Sequence, residues 1–429
     1  MMKDIKTVVV LGASGTVGSL VGGLLAQNDI SVFFLSRTLA GSQKGLEKAM
    51  AQARSEVIAR KITCGDYDSM LEQACSQADW ILECVAEDIA VKRKMYELVD
   101  RYRKADSVIS SVTSSLPLEQ LPEGRSDSFQ SRFLSTHFYN PPGKMLACEI
   151  CGQPKTEPSI VDGMAEFLHS RLGRAVIPVK PSAGFAGNRI AFLLFARITE
   201  LAIEHGVEMM DYLIGPYTGR LMAPLATIDL VGLDIHKAII ESLRTHTSDA
   251  MHEKLVLPGY VERMITEGRL GKKTRDKGGF YKKLESGGFI YIDPKTCDYI
   301  PAFQPHVQFV ERAKNQIHLG MYRQAFDTIF NATGPEAQIV HEILAMYIAY
   351  SYMMVGEVTD EKYGIEGIDR VMTTGFNWAG PSLIVHMLGG KERAAQLLKS
   401  QHLAVPDSLH KDRASEQYHF NAGKYFPAK

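Results

Sequence analysis

Charge of one sign is the first thing this chain lacks. Its 429 residues hold 48 Lys and Arg against 49 Asp and Glu, a net charge of −1. That balance argues against nucleic acid and against an anionic membrane surface as partners. Long apolar runs are missing as well. None approaches the roughly 20 residues needed to cross a bilayer, although hydrophobic content is an ordinary 45%. Cysteine is sparse and scattered: of six, only Cys148 and Cys151 have Cys-x-x-Cys spacing. They straddle Glu149 in an extended run, whereas a redox pair is expected at a helix start, and a zinc site needs a second ligand pair. The expectation is of reduced, buried thiols in a cytoplasmic protein that binds no metal. Because Met1-Met2-Lys3-Asp4 leads straight into the first strand, no signal peptide is expected. The length suits two or three domains and a sizeable core.

What is present begins at that strand. Thr7-Val8-Val9-Val10-Leu11 is a continuous apolar run, as expected for a central parallel strand covered on both faces. Gly12-Ala13-Ser14-Gly15-Thr16-Val17-Gly18 follows and leads into a helix through Ala26. Strand, glycine loop and helix in that order form the dinucleotide fingerprint, in which small residues let the backbone approach a pyrophosphate seated on the helix N-terminus. Gly12, Ser14, Gly15, Thr16, Val17 and Gly18 are therefore candidate cofactor contacts. The second strand, Ile30 to Leu35, should end in an acidic residue that takes the adenosine ribose of NAD. It ends in Ser36-Arg37-Thr38. Two hydroxyls and a guanidinium suit a 2′-phosphate, so the local chemistry favours NADP; alternatively Arg37 stacks on adenine or faces solvent while NAD binds. Ser42 to Ala59 has helical spacing, and the third strand starts at Lys61.

The chain is organised around Thr136-His137-Phe138-Tyr139-Asn140-Pro141-Pro142 and the apolar run Met145 to Ile150. Phe133 to Phe138 reads as a strand stopped by the Asn-Pro-Pro turn. Glu149 is the single carboxylate of the following run. A charge in such a run is expensive unless paired, and His137 is the partner across the turn. A histidine held by a carboxylate is a general base of fixed tautomer and orientation. The bland alternative is a satisfied structural histidine and a strand-edge charge.

This stretch resembles the signature of the 3-hydroxyacyl-CoA dehydrogenase family, which reads His-Phe-Phe-Asn-Pro with a Glu at the same distance. The resemblance runs from the first strand to about residue 290. Glu83-Cys84-Val85-Ala86-Glu87-Asp88 matches the family's Glu-x-Val-x-Glu-Asp. Thr113-Ser114-Ser115-Leu116 matches its Asn-Thr-Ser-Ser-Leu, with Val112 in place of the asparagine. Pro181-Ser182-Ala183-Gly184-Phe185-Ala186-Gly187-Asn188-Arg189 is similar to its Pro-Gly-Phe-x-x-Asn-Arg, and Ile228 to Asp234 to its helical-domain signature. The resemblance implies that His137 takes the hydroxyl proton of an L-3-hydroxyacyl substrate while Glu149 orients and charges the imidazole. It further implies that Ser114 hydrogen-bonds the 3-oxygen, that Asn188 polarises the developing carbonyl, and that Glu87 and Lys92 contact the nicotinamide-side ribose. Two features depart from the family: a Gly-x-x-Gly-x-x-Gly loop one residue longer than usual, and a short connection before the third strand where the family has a helical hairpin that helps hold coenzyme A.

The fold expected is a Rossmann-type doubly wound α/β sheet over 1–180, then two related all-α domains. The first covers 181–290; a second, degenerate copy covers 300–400, since Gly367-Ile368-Asp369 and Gly380-Pro381-Ser382-Leu383 echo Met209 to Gly232. Phe289 to Tyr299 reads as a hairpin linker. A tail over 401–429, with Tyr418, Phe420, Tyr425 and Phe426, is expected to dock on the body. The expected function is reversible hydride transfer between NAD or NADP and C3 of an L-3-hydroxyacyl thioester, with an acyl-CoA as the substrate partner and a homodimer plausible. Two alternatives stand beside it: an NADPH-dependent biosynthetic reductase of a 3-oxoacyl group on an acyl carrier protein or a free acid, and a non-catalytic cofactor-binding member.

Overall fold

The structure is a computed structural model describing residues 4–411. Residues up to Phe185, together with Thr374–Phe376, form one compact unit; the described residues of 186–373 and from 377 onward form another.

The first unit alternates strand and helix: β1 (Thr7–Leu11), α1 (Thr16–Gln27), β2 (Ser31–Ser36), α2 (Leu39–Ala53), β3 (Ile62–Asp66), α3 (Tyr67–Gln77), β4 (Trp80–Glu83), α4 (Ile89–Tyr102) and β5 (Val108–Ser111). After α5 (Asp127–Gln130) come β6 (Phe133–Phe138), β7 (Ala147–Gly152), α6 (Pro158–Ser170) and β8 (Ala175–Pro178). The strands form one sheet in the order β3-β2-β1-β4-β5-β6-β7-β8. All neighbours run parallel except β6 and β7, which are antiparallel. Val8 to Leu11, Trp80 to Leu82 and Ile109 are fully buried, which is why these strands read as unbroken apolar runs. Pro178, which cannot donate to a ladder, ends the edge strand β8. Strand order reverses between β1 and β4, so the crevice at their carboxyl ends is where a doubly wound sheet binds its ligand.

The helix expected over 42–59 starts earlier and stops sooner. Thr38 caps α2 by accepting the Gly41 amide, and Arg54, at φ 49°, turns the chain left-handed after Ala53. A short 3-10 turn, Val57–Lys61, completes the connection.

The second unit is helical: α7 (Gly187–His205), α8 (Val207–Leu213), α9 (Pro224–Val231), α10 (Leu233–His246) and α11 (Gly259–Thr266). The linker expected from 289 to 299 is part of an antiparallel sheet of β9 (Tyr281–Lys283), β10 (Phe289–Ile292) and β11 (Tyr299–Pro301). Then follow α12 (Gln308–His318), α13 (Tyr322–Phe330), α14 (Pro335–Met353), α15 (Glu366–Gly375), α16 (Pro381–Leu388), α17 (Lys391–Ser400) and α18 (Asp407–Lys411).

Some features recur within this unit. α7 and α14 are each 19 residues long and buried along most of their length. Asp211 accepts the Leu225 and Ala226 amides at the start of α9, and Asp369 accepts the amide and hydroxyl of Ser382 at the start of α16. Arg220 and Trp378, each just ahead of one of these short helices, pair as an antiparallel bridge, with the guanidinium 4.7 Å from the indole centroid. Apart from 181–185 and 374–376, the helical stretches expected as 181–290 and 300–400 fall within this one compact unit. Of the expected tail, residues 412–429 lie outside the described residues. No helix among the described residues is long and apolar enough to cross a membrane.

Candidate active site

Strand direction explains how His137 meets Glu149. β6 is parallel to β5 and ends at the ligand edge of the sheet, while β7 reverses and so begins there. His137 and Glu149 stand directly opposite in the β6–β7 register, which places both side chains on one face at close range. His137 Nδ1 lies 2.8 Å from Glu149 Oε2. The carboxylate is fully buried and the histidine is 9% exposed. With Nδ1–H donating to the carboxylate, the lone pair sits on Nε2. A third group completes the set: Tyr139, two residues beyond His137, donates its hydroxyl to the same Glu149 Oε2 at 2.8 Å. Its ring lies 4.8 Å from the imidazole with the planes at 65°, and Phe185 packs tilted against the imidazole at 5.9 Å.

Ser114 lies on the loop after β5, partly buried. Its carbonyl accepts the Gly184 amide at 2.6 Å, and Ser135 Oγ donates to the carbonyls of Ser111 and Thr113, tying β6 to this loop. Asn188 belongs to the helical unit, on the first turn of α7, and is 8% exposed.

The glycine loop fits a dinucleotide. Gly12 has φ 84°, and a Cβ there would sit 2.3 Å from the Cys84 carbonyl oxygen, so only glycine lets β1 turn against β4. Gly15 occupies the N-cap of α1 with no side chain spent on capping and no acidic residue in the first turn. The positive helix end is thus kept for an anion. Ser14, Gly15 and Thr16 are exposed, Val17 is half-buried, Gly18 is buried, and Lys48 Nζ holds the Ser14 carbonyl at 2.7 Å.

At the end of β2 the expected trio divides. Ser36 is 4% exposed; its hydroxyl donates to the Thr38 carbonyl at 2.8 Å and accepts from Ser42 Oγ at 3.1 Å. It is committed to the turn, and a phosphate contact from it does not fit. Thr38 Oγ1 accepts the Gly41 amide, leaving its own proton to donate, and Arg37 is exposed.

The loop after β4 carries a network that the sequence reading did not contain. Glu83 is fully buried and accepts from Lys92 Nζ with both oxygens (2.8 and 2.9 Å), from Tyr96 (2.6 Å), from Ser111 (2.7 Å) and from the Val85 amide (2.7 Å). Lys92, expected at the ribose, is likewise fully buried. Burial pulls its ammonium down, but Glu83 and Glu87 outweigh that and hold it above its ordinary value. What it touches is Glu83 and, at 3.2 Å, Glu87. The Glu87 side chain is 42% exposed; burial pushes its carboxyl up, yet Lys92, Ser115 and Thr113 hold it below the usual range. The signal for Glu83 was in plain view: one carboxylate ending an apolar strand, the same pattern that singled out Glu149. No group of three or more residues able to hold a metal ion occurs among the described residues.

Comparison with known proteins bears on the family and the fold. The family model for the NAD binding domain of 3-hydroxyacyl-CoA dehydrogenase matches residues 7–182, and that for its C-terminal domain matches 184–283. A protein of Bacillus subtilis named a probable 3-hydroxyacyl-CoA dehydrogenase is 30% identical over 92% of this chain, which spans only 53% of that relative's length. One of Deinococcus radiodurans with the same name is 32% identical over 66% of this chain and 84% of its own. The crystal structure of 3-hydroxybutyryl-CoA dehydrogenase from Escherichia coli shares the fold, with a TM-score of 0.69 at 18% identity, over 93% of this chain and 95% of that one. With a glycine loop, a strand-paired histidine and glutamate, and these matches across both domains, the chain belongs to the 3-hydroxyacyl-CoA dehydrogenase family.

Proposed function

We propose that the protein interconverts an L-3-hydroxyacyl thioester and its 3-oxoacyl counterpart, with a nicotinamide cofactor as hydride carrier. The observation that carries this reading is the buried His137–Glu149 pair at the same sheet edge as the glycine loop. In the oxidation direction, His137 Nε2 takes the 3-hydroxyl proton as general base. Glu149 fixes the tautomer through Nδ1 and stabilises the imidazolium that forms. Ser114 hydrogen-bonds the 3-oxygen, and Asn188 serves as the donor that polarises the developing carbonyl. The nicotinamide, when bound, accepts or returns the hydride. Gly12 to Gly18 and the amino end of α1 take its pyrophosphate. Glu87 faces the ribose, and Lys92, buried behind it, sets the position and charge of Glu87.

NADP is the cofactor we favour. Arg37 is exposed at the end of β2 beside the amino end of α2, and the Thr38 hydroxyl keeps a proton to donate. The same feature supports a second reading, an NADPH-dependent reductase of 3-oxoacyl groups on another carrier, since the connection from α2 to β3 is short. The helical stretch from α12 to α18 we read as a degenerate copy of α7–α11; the equal lengths of α7 and α14 and the paired caps Asp211 and Asp369 support it. The test is a matrix of steady-state rates: NADH and NADPH, each with 3-oxoacyl groups carried on coenzyme A, on acyl carrier protein, or free. Turnover with the coenzyme A substrate, faster with NADPH, is expected. Turnover only with another carrier favours the second reading, and none in any cell of the matrix contradicts both.

A further inference from the structure

Tyr139, two residues beyond His137, places its hydroxyl on the dyad itself. We infer that Tyr139 is a positioning residue that tunes the acid–base pair by sharing Glu149 Oε2 with His137, and that it is held there by Gly375 and Phe376. This deepens the reading above and rests on it.

Both hydrogen bonds end on one oxygen. His137 Nδ1 and the Tyr139 hydroxyl each lie 2.8 Å from Glu149 Oε2. A hydroxyl that donates to a carboxylate draws part of its charge, so less remains to stabilise an imidazolium on the same atom. Tyr139 is 6% exposed and fully committed to this contact. Its phenol is pushed well above the ordinary range, by burial first and then by the Glu149 charge, so it remains a donor at any working pH.

The ring is fixed from behind by residues far along the chain. Phe376 packs edge-on at 5.5 Å, and a Cβ on Gly375 would stand 3.1 Å from the Tyr139 ring. The Thr374 carbonyl accepts the Leu146 amide at 3.0 Å, stitching these three residues to the turn before β7. Thr374–Phe376 belong to the same compact unit as the dinucleotide-binding strands. Phe185, Gly375 and Phe376 bring no ionisable group to the pair. On β7 the neighbours are Cys148 and Cys151; burial pushes both thiols up, Cys151 to about 12, so both stay neutral. Ahead of β8, Arg174 bears on Cys148.

The experiment is the pH dependence of kcat/KM for hydroxyacyl oxidation by the full chain, wild type against Tyr139→Phe. Loss of the hydroxyl removes one donor from Oε2 and leaves more of its charge to His137. The imidazolium is then better stabilised, and the acidic limb of the profile should move up by roughly half a pH unit, with the KM for the cofactor unchanged. Gly375→Ala, which keeps the hydroxyl but crowds the ring, provides a second variant and should move the limb in the same direction. An unshifted or downward-shifted limb in folded, active Tyr139→Phe enzyme overturns the inference while leaving the dyad in place. A wild type with no turnover on any substrate is a different result, and it removes the dyad reading on which the inference stands.

Discussion

His236 and Lys92 are two bases that folding has taken out of water, with opposite consequences. Lys92 finds two carboxylates. His236 finds none: it is fully buried on α10, stacked on Phe192 at 5.7 Å, and neither ring nitrogen has a hydrogen-bond partner among the described residues. Burial pulls its pKa down to about 3 from 6.5. A base depressed in this way contributes full stability above 6.5, and that contribution drains away as pH falls toward the folded value, because the unfolded chain takes the proton first. Wild type should therefore lose about 2 kcal/mol relative to His236→Leu between pH 7 and pH 5. Urea denaturation at the two pH values checks this, and the packing cost of the substitution cancels in the comparison. Equal losses would mean that His236 is hydrated in the native state. At this scale the sequence is unevenly legible. Glu149 stood out because a charge in an apolar run needs a partner, and the same logic, unapplied, would have found Glu83. That Lys92 points inward was not legible. A lysine on an amphipathic helix reads as solvated until the buried carboxylate it faces is known.

Among elements, the junction of β2 and α2 has the most consequence. Ser36 was grouped with Arg37 and Thr38 from adjacency alone, but alternation along a strand sends neighbours to opposite faces, and Ser36 turns inward to Ser42. Arg37 and the Thr38 hydroxyl are left able to meet a 2′-phosphate. Arg37→Ala should raise the KM for NADPH on the order of tenfold or more, as expected for loss of a charge-assisted bond, with little change for NADH. Equal changes for both cofactors would mean that Arg37 only stacks on adenine. Strands β1 and β4 were legible as apolar runs on a doubly covered sheet, and β6 as a run of β-formers stopped by the Asn-Pro-Pro turn. The end of α2 was not: Arg54, Ser55 and Glu56 do not forbid a helix, and the left-handed turn at Arg54 is a tertiary outcome. The three-stranded sheet was half-seen, since β9 is too short to carry a period.

For the whole molecule, the order of motifs along the chain announced a dinucleotide domain followed by helices, and the sheet order places the glycine loop, the Glu87 loop, Ser114 and His137 along one edge. What the linear order concealed is Thr374–Phe376, nearly two hundred residues beyond the Rossmann-type segment and yet part of its compact unit against Tyr139. No local pattern announces a contact of that separation. Catalysis as proposed depends on a proton leaving the substrate through one imidazole. The most direct measurement is single-turnover hydride transfer by His137→Ala, with cofactor binding followed separately. A rate lower by on the order of a hundredfold or more with cofactor affinity intact is predicted; a rate near that of the wild type would contradict the assignment.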